Sequence, residues 1–301
     1  MNLPAEVEII EVGPRDGFQN QRNWIPTEIK LNIIHDLIQS GIQKMEVTSF
    51  ASPEWVPQMK DGEQLLEQLF AKGIPEQICM TALALNLRGA EKAVRLGMRH
   101  LRYVVSVSES HNQANTNRSI YDTLKELEQI KKSCPELEIE VLLATCFGCS
   151  YQGTVKPLEV FSMVREILTM GIGSIGLSDT TGNADPAQVS ALLSVFRETF
   201  PDIMPVLHFH DTYGMGLCNI MEALKLGFTK FDSSVGGLGG CPFSPGAAGN
   251  VATEDLNHML LRLGIVTGID QMKLLEALKT VIYHVSPCYS SHSAAMVRRP
   301  V

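Results

Sequence analysis

Two histidines two positions apart, His208 and His210, end an apolar run that begins at Pro205. In a β-strand, residues i and i+2 project from the same face, so both imidazoles would point one way and Phe209 the other. Such a pair is either a pair of packed histidines or two nitrogen ligands of a metal ion, and the spacing alone leaves both interpretations open. Residues elsewhere in the chain favour the metal site.

Two acidic residues and an arginine accompany this pair. Asp16 follows Arg15 in the glycine-rich stretch 13–17, which is either a turn with a surface ion pair or a polar site at a strand end. Glu46 lies within an apolar run, where a buried carboxylate is costly unless Arg15 or a metal-bound water pairs with it. A pair between Glu46 and Arg15 would be compatible with both a structural and a catalytic role.

The stretch 236–250 is rich in glycine and contains Cys241. Glycines also crowd together in dinucleotide-binding loops, but such a loop follows the first strand and opens a helix at once, whereas here two prolines and a cysteine intervene. We therefore predict a mobile loop with Cys241 at its middle. Facing a cation, this thiol would be biased towards thiolate and could act as an acid or a base.

The donor types indicate which metal such a site would hold. The imidazoles of His208 and His210, the carboxylate of Asp16 and the amide oxygen of Asn250 would form a mixed nitrogen and oxygen site, which favours Mg²⁺ or Mn²⁺. Zinc bound through His208, His210 and Cys241 is the alternative.

Short apolar runs alternate with amphipathic runs along the whole chain. Strands are predicted at 7–12, 42–48, 78–83, 101–107, 139–144, 174–177, 206–209 and 231–235. Helices are predicted at 27–39, 57–71, 87–96, 119–133, 157–170, 186–200, 216–226 and 253–263. Eight strand-helix units in strict alternation predict the α/β class and a (β/α)8 TIM barrel. We expect one catalytic domain over 1–301, with the barrel at about 7–265 and a C-terminal helical extension at about 268–301.

In such a barrel the site lies at the carboxyl ends of the strands, so unusual residues should follow strands. Asp16, Asp179 and His210 each stand at or after the end of a predicted strand, and the glycine-rich stretch follows the eighth. The polar stretch 106–118 is predicted to be a loop at the rim. Cys146 and Cys149 resemble half of a redox or zinc motif, but without a second pair we interpret them as packing residues.

Composition excludes several classes of function. The chain has 301 residues, 45% of them hydrophobic, and a net charge of -8, which argues against nucleic acid or an anionic membrane as the main partner. Seven cysteines in a chain of this length indicate thiols in a reducing compartment. We expect a cytoplasmic protein, because no run is long enough to span a bilayer and the N-terminus shows no basic or Arg-rich leader.

The motifs at 13–20, 46–50, 208–212 and 236–255 together resemble the 3-hydroxy-3-methylglutaryl-CoA lyases, within the superfamily of metal-dependent TIM-barrel lyases and synthases. The resemblance spans about 8–263, and the cysteine in the glycine loop separates these lyases from related synthases. It implies metal ligands Asp16, His208, His210 and Asn250. It also implies the catalytic residues Arg15, which would bind substrate as well, Glu46, Asp179, His208 and Cys241.

The activity implied by this resemblance is the divalent-metal-dependent cleavage of 3-hydroxy-3-methylglutaryl-CoA to acetyl-CoA and acetoacetate. We expect an acyl-CoA substrate, a homodimer, and neither a nucleic acid nor a membrane as partner. A related Claisen-type synthase that condenses acetyl-CoA with a 2-oxo acid is one alternative, and a lyase acting on another 3-hydroxyacyl-CoA is a second. A non-catalytic barrel that binds acyl-CoA or metal is the third.

Overall fold

A computed structural model describes residues 3–240, 249–288 and 290–297 of the chain. Eight parallel strands form a closed barrel in chain order, and pairing of the first strand with the eighth closes it. The strands are β1 (Glu8–Glu11), β2 (Lys44–Ser49), β3 (Cys79–Leu83), β4 (His100–Ser106), β5 (Glu138–Ala144), β6 (Ser174–Asp179), β7 (Val206–Phe209) and β8 (Lys230–Ser233). This arrangement confirms the predicted TIM barrel.

The helices surround the barrel, and each predicted helix is present. They are α1 (Thr27–Gln39), α2 (Gly62–Ala71), α3 (Leu87–Arg95), α4 (Glu109–Thr116), α5 (Ile120–Ser133), α6 (Pro157–Thr169), α7 (Pro186–Thr199), α8 (Gly216–Lys225), α9 (Thr253–Arg262), α10 (Gln271–His284) and α11 (His292–Val297). The last two helices form the predicted C-terminal extension. Within the described ranges, no helix is long and apolar enough to cross a membrane.

Two segments differ from the sequence prediction. The predicted helix at 57–71 is divided into a short 3₁₀ turn at Pro57–Met59 and α2. The predicted rim loop at 106–118 contains α4, whose first turn is capped by the Ser108 hydroxyl accepting the backbone N–H of His111 at 3.3 Å. The loop prediction was wrong because polar side chains on this short helix hide the apolar periodicity, while a capping serine starts it.

The strands carry different chemistry on their two faces. On β4, Leu101 and Tyr103 lie in the large apolar core, so Arg102 between them faces the barrel interior, because successive side chains alternate. The same alternation applies on other strands. We call the interior charged and polar residues the lumen cluster, and it consists of Glu46, Arg102, Glu140, His208 and Asp232.

Candidate metal centre and active site

Asp16, His208 and His210 form a cluster that could hold a metal ion. One possible ligand atom from each residue lies within 4.8 Å of the others. The two imidazole rings are 5.2 Å apart between centroids, and both are buried. The structure therefore brings together three of the four ligands that the sequence indicated.

A tight turn positions Asp16 at the mouth of the barrel. After β1 the chain forms one turn of π-helix, Gly13–Gly17, in which the N–H groups of Arg15, Asp16 and Gly17 all point at the Val12 carbonyl oxygen. A Cβ on Gly13 would lie 2.6 Å from Oε1 of Glu11, so only glycine fits this approach. The turn brings the carboxylate of Asp16 close to His208 on β7 and to His210 just after it.

Asn250 joins the cluster because its segment runs beside the end of β7. Asn250 forms an isolated β-bridge with His210, supported by a 3.2 Å hydrogen bond from the Val251 N–H to the Phe209 carbonyl oxygen. Its Nδ2 donates to Oδ2 of Asp16 at 2.7 Å and to the Leu238 carbonyl oxygen at 2.9 Å. Its Oδ1 is buried and has no hydrogen-bond partner among the described residues.

That buried oxygen fits a divalent cation. A buried polar atom without a partner is costly, and a cation would satisfy it. Nδ1 of His210 is likewise buried without a partner in the described part of the chain. Burial lowers the pKa of His210 to about 4, with help from the charge of His208, so this imidazole is neutral at pH 7 and can offer a lone pair.

Asp16 is anionic at neutral pH. Burial raises its pKa, but the positive charge of Arg15 and the hydrogen bond from Asn250 oppose burial, and the pKa lies below its ordinary value. Its Oδ1 accepts hydrogen bonds from Arg15 at 2.8 Å and from Gln19 at 3.0 Å. An ionised carboxylate, two imidazoles and an amide oxygen make a donor set that suits Mg²⁺ or Mn²⁺.

Arg15 is held by two carboxylates. Its Nη1 donates to Asp16 and its Nη2 donates to Oε2 of Glu46 at 2.6 Å. Burial lowers the pKa of Arg15, but the charges of Glu46 and Asp16 outweigh this effect and leave it raised. Nε of Arg15 and Oε1 of Glu46 are buried without partners in the described residues. The guanidinium is thus a fixed positive charge beside the ligand cluster, with an unpaired donor.

Asp179 ends β6 close enough to His208 for the histidine charge to affect its pKa. Its Oδ1 accepts the N–H of Asn183 at 3.2 Å, and its Oδ2 accepts the N–H of Ala184 at 3.1 Å. Burial raises its pKa to about 6 despite these hydrogen bonds and the charge of His208. Both oxygens of the carboxylate therefore hold the loop after β6, and in the strand register Asp179 is paired with Phe209, next to His208.

Cys241 lies outside the described residues, but the chain just before it is at the site. A Cβ on Gly239, which has φ of 120°, would lie 3.0 Å from Oδ2 of Asp16. Nδ2 of Asn20 donates to the Gly240 carbonyl oxygen at 2.6 Å. The glycine stretch that leads to Cys241 in the sequence therefore passes beside Asp16 and Asn250, two of the candidate ligands.

The two cysteines of the Cys-x-x-Cys stretch are packing residues. Cys146 and Cys149 are free, buried, and part of the large apolar core. Sγ of Cys149 contacts the Ser108 hydroxyl at 3.0 Å, which connects this loop to the start of α4.

The sequence interpretation missed the residues that support the site from below. Arg102 lies within the barrel, where its Nη1 donates to Oδ2 of Asp232 at 2.8 Å and contacts Oε2 of Glu46 at 3.3 Å. Its Nε donates to Oε1 of Glu140 at 2.8 Å. The available signal was a charge inside an apolar strand, the same signal that identified Glu46.

Comparison with known proteins identifies the relatives of this chain. The profile of the HMGL-like family matches residues 6–281. The hydroxymethylglutaryl-CoA lyase YngG of Bacillus subtilis is 40% identical over 93% of this chain and 94% of its own length. The mitochondrial hydroxymethylglutaryl-CoA lyase of Homo sapiens is 40% identical over 91% of this chain and 84% of its own length.

Solved structures extend the similarity to the fold. The structure of an HMG-CoA lyase from Acinetobacter baumannii, in complex with coenzyme A and 3-methylmalate, is 36% identical, with a TM-score of 0.90 over 100% of both chains.

Proposed function

The chain belongs to the HMGL-like family, and we propose that it cleaves 3-hydroxy-3-methylglutaryl-CoA to acetyl-CoA and acetoacetate. The observation that carries this proposal is the cluster of Asp16, His208 and His210 beside the unpaired Oδ1 of Asn250 and the fixed charge of Arg15. Lyases of this name, 40% identical over most of the chain, support the substrate.

We assign the metal site to Asp16, His208, His210 and Asn250, and its ion to Mg²⁺ or Mn²⁺. When bound, such an ion would supply Lewis acidity at the 3-hydroxyl group of the substrate.

Cleavage breaks the bond between C2 and C3, releases the 3-hydroxyl proton and leaves an enolate on the acetyl thioester. Arg15, oriented by Glu46 through the 2.6 Å contact, neutralises the charge that develops on oxygen. We place the acceptor of the hydroxyl proton on the side formed by Asp179 and His208, because burial raises the pKa of Asp179 to about 6, close to the working range of a general base.

We assign protonation of the enolate to Cys241. The glycine stretch that leads to it passes over Asp16 and Asn250 and supports this assignment. Cys241→Ala should lower turnover by on the order of 10²-fold or more, the usual scale for a general acid. Cys218, an exposed free thiol on α8, is the matched control, and Cys218→Ala should leave turnover unchanged. Native turnover in Cys241→Ala would remove the thiol from the mechanism.

We further propose a cytoplasmic homodimer that takes part in leucine degradation and ketone-body metabolism. Five free cysteines among the described residues, Cys79, Cys134, Cys146, Cys149 and Cys218, agree with a reducing compartment. Tyr283 and Met296, exposed on the C-terminal helices α10 and α11, offer apolar surface for a second copy. Sedimentation equilibrium measures the oligomeric state directly, and a monomer at micromolar concentration would contradict this part.

The deciding experiment detects acetoacetate formed from 3-hydroxy-3-methylglutaryl-CoA. Activity should vanish when a chelator strips the protein and return with Mg²⁺ or Mn²⁺. The same preparation is offered acetyl-CoA with 2-oxo acids, which tests for a synthase. A 3-methylmalyl thioester is included, because the Acinetobacter baumannii relative is described in complex with 3-methylmalate. Metal-loaded protein that forms no acetoacetate would overturn the proposed function.

A further inference from the structure

His208 makes a contact that none of the other ligand candidates makes. Its Nδ1 lies 2.9 Å from Oδ2 of Asp232, and both groups are buried. The contact follows from the barrel register, because His208 on β7 and Asp232 on β8 are directly paired across the two strands. The side chains therefore project side by side into the lumen.

A carboxylate at this position determines which nitrogen of the imidazole carries the hydrogen. An ionised carboxylate only accepts, so Nδ1 of His208 must donate, and Nε2 retains the lone pair. A metal-binding histidine generally donates its other ring N–H in this way, which sets both the tautomer and the ring orientation. Oδ2 of Asp232 thus leaves Nε2 as the ligand atom of His208.

Asp232 is itself held rigidly. Nη1 and Nη2 of Arg102 donate to its two oxygens at 2.8 and 3.0 Å, a bidentate pair. Arg102 is held from its other side by Glu140, whose Oε1 accepts from Nε at 2.8 Å. Neither Asp232 nor Arg102 is more than 1% exposed, so water does not compete for these hydrogen bonds.

We propose that Asp232, clamped by Arg102, is the positioning residue of the metal ligand His208. It acts by fixing the Nδ1–H tautomer and the ring plane, without touching the substrate. This inference rests on the metal site of the proposed function. The neighbouring ligand provides the contrast, because Nδ1 of His210 has no partner in the described part of the chain.

The test is an Mn²⁺ titration of the metal-stripped protein, followed by electron paramagnetic resonance of the free ion. In the unsubstituted protein both oxygens of Asp232 accept from Arg102. Asp232→Asn keeps the size of the side chain but replaces one of these oxygens with an NH₂ group, which cannot accept. With the amide nitrogen in place of Oδ2, the hydrogen bonds from Nη1 of Arg102 and Nδ1 of His208 are both lost; with it in place of Oδ1, the hydrogen bond from Nη2 of Arg102 is lost and His208 keeps only a neutral, weaker acceptor. The Mn²⁺ affinity should fall about 10- to 100-fold.

Glu140→Gln is the matched control. It removes the negative charge on the opposite side of Arg102, within the same buried cluster, but Glu140 makes no contact with His208 in the described structure. A positioning role for Asp232 predicts that Glu140→Gln binds Mn²⁺ as tightly as the unsubstituted protein. Equal losses in both variants would attribute the effect to the charge balance around Arg102 and overturn the proposal.

A second measurement does not depend on whether a variant of Asp232 folds. Nitrogen-15 spectra of the metal-free protein at alkaline pH report which ring nitrogen carries hydrogen, and His208→Ala identifies the signals. The expected tautomer has hydrogen on Nδ1 of His208, whereas hydrogen on Nε2 would overturn the proposal. If the unsubstituted protein binds no Mn²⁺ at all, the metal site of the proposed function is wrong instead, so the two failures are distinguishable.

Discussion

Two groups of buried carboxylates in this molecule are stabilised in opposite ways. In the lumen cluster, Asp232 and Glu140 surround the guanidinium of Arg102. Around the stem of the glycine loop, Glu11 and Glu254 are also buried, but among the described residues their hydrogen-bond donors are neutral backbone N–H and hydroxyl groups. We call this second pair the loop-stem carboxylates.

The pKa values show the consequence. Burial alone raises the pKa of every one of these groups. For Asp232 and Glu140 the positive charge of Arg102 outweighs burial, and both pKa values are lowered. For Glu11 and Glu254 burial wins, and both pKa values are raised to about 7. A nearby cation thus decides whether a buried carboxylate stays ionised.

This difference matches the positions of the two groups. The lumen cluster supports residues of the candidate site, since Asp232 contacts His208 and Glu46 contacts Arg15. The loop-stem carboxylates accept backbone N–H groups instead, Gly13 and Val235 on Glu11 and Gly236 on Glu254. Neutral hydrogen bonding is sufficient to hold a turn, whereas a buried guanidinium such as that of Arg15 needs a charged partner.

The largest expected effect comes from removing the cation of the lumen cluster. Arg102→Met fills similar volume but leaves Glu46, Glu140 and Asp232 buried without their shared partner. The unfolding free energy should fall by about 3–5 kcal/mol, and activity should be lost because His208 and Glu46 lose their supports. Denaturant unfolding and the acetoacetate assay measure the two effects.

Leu101→Ala is the control on the outer face of the same strand. Leu101 is fully buried in the apolar core, so its truncation should cost about 2–5 kcal/mol. Mn²⁺ affinity should nevertheless stay within about twofold, because the side chain of Leu101 lies on the opposite face of β4 from Arg102. If Arg102→Met bound Mn²⁺ as tightly as the unsubstituted protein, the lumen cluster would not be needed to support the metal site.

The second effect concerns the guanidinium group of Arg15. Its two terminal nitrogens contact Asp16 and Glu46 simultaneously, and a lysine ammonium has no second fixed arm. Arg15→Lys should therefore lose on the order of 10²-fold in turnover with little change in KM. Arg197→Lys, at an exposed position on α7, is the control and should be neutral. Near-normal turnover in Arg15→Lys would reduce Arg15 to a structural partner of Glu46.

The third effect tests the loop-stem carboxylates by pH. Because the pKa of Glu11 is raised from 4.5 to about 7, the folded state holds its proton more tightly than the unfolded chain. Its stabilising contribution is complete below about pH 4.5 and is lost as the pH rises through 7, a change of up to roughly 3 kcal/mol. Glu11→Gln imitates the protonated form, so the variant should gain stability relative to the unsubstituted protein from pH 5 to pH 8.

Unfolding free energies at several pH values provide this comparison. Asp232→Asn should behave oppositely, because the folded pKa of Asp232 is lowered and its contribution is present above the unfolded pKa and lost only in acid. Parallel pH profiles for the Glu11→Gln and Asp232→Asn variants would remove the distinction between the two groups.

The smallest effect concerns a single hydroxyl on the C-terminal segment. Ser291 donates to Oε1 of Glu254, and this hydrogen bond lowers the pKa of a carboxyl group that burial raises. Ser291→Ala should cost about 1 kcal/mol, more at pH 8 than at pH 5, because the hydroxyl stabilises the ionised form. Ser293→Ala, which removes a hydroxyl bound to Asp255 instead, should not change this pH dependence.

The sequence predicted the barrel well for a physical reason. Each strand-helix unit has a local sequence pattern, which consists of a β-branched run for the strand and a glycine at the end of the helix. Gly41, Gly97 and Gly171 all have positive φ, the conformation in which glycine ends a helix. Helix α4 was missed because seven of its eight residues are polar and show no apolar period, although Ser108 was a recognisable N-cap.

Residue type and position after a strand were enough to select Asp16, His208, His210 and Asn250 as ligand candidates, since the strands of a barrel end at one mouth. The sequence also indicated that Glu46 needed a partner, and its alternation with apolar neighbours showed that it would be buried. These inferences depend on local pattern and on the number of units, both of which are properties of the chain itself.

Only the tertiary structure determined which charges meet. Arg102 on β4, Glu140 on β5 and Asp232 on β8 lie up to 130 positions apart, yet they converge because barrel closure brings their inward faces to one axis. The strand register sets Asp232 beside His208, and shifting it by one residue would turn that carboxylate to the opposite face. This register cannot be predicted from local sequence, because the register results from the packing of all eight strands.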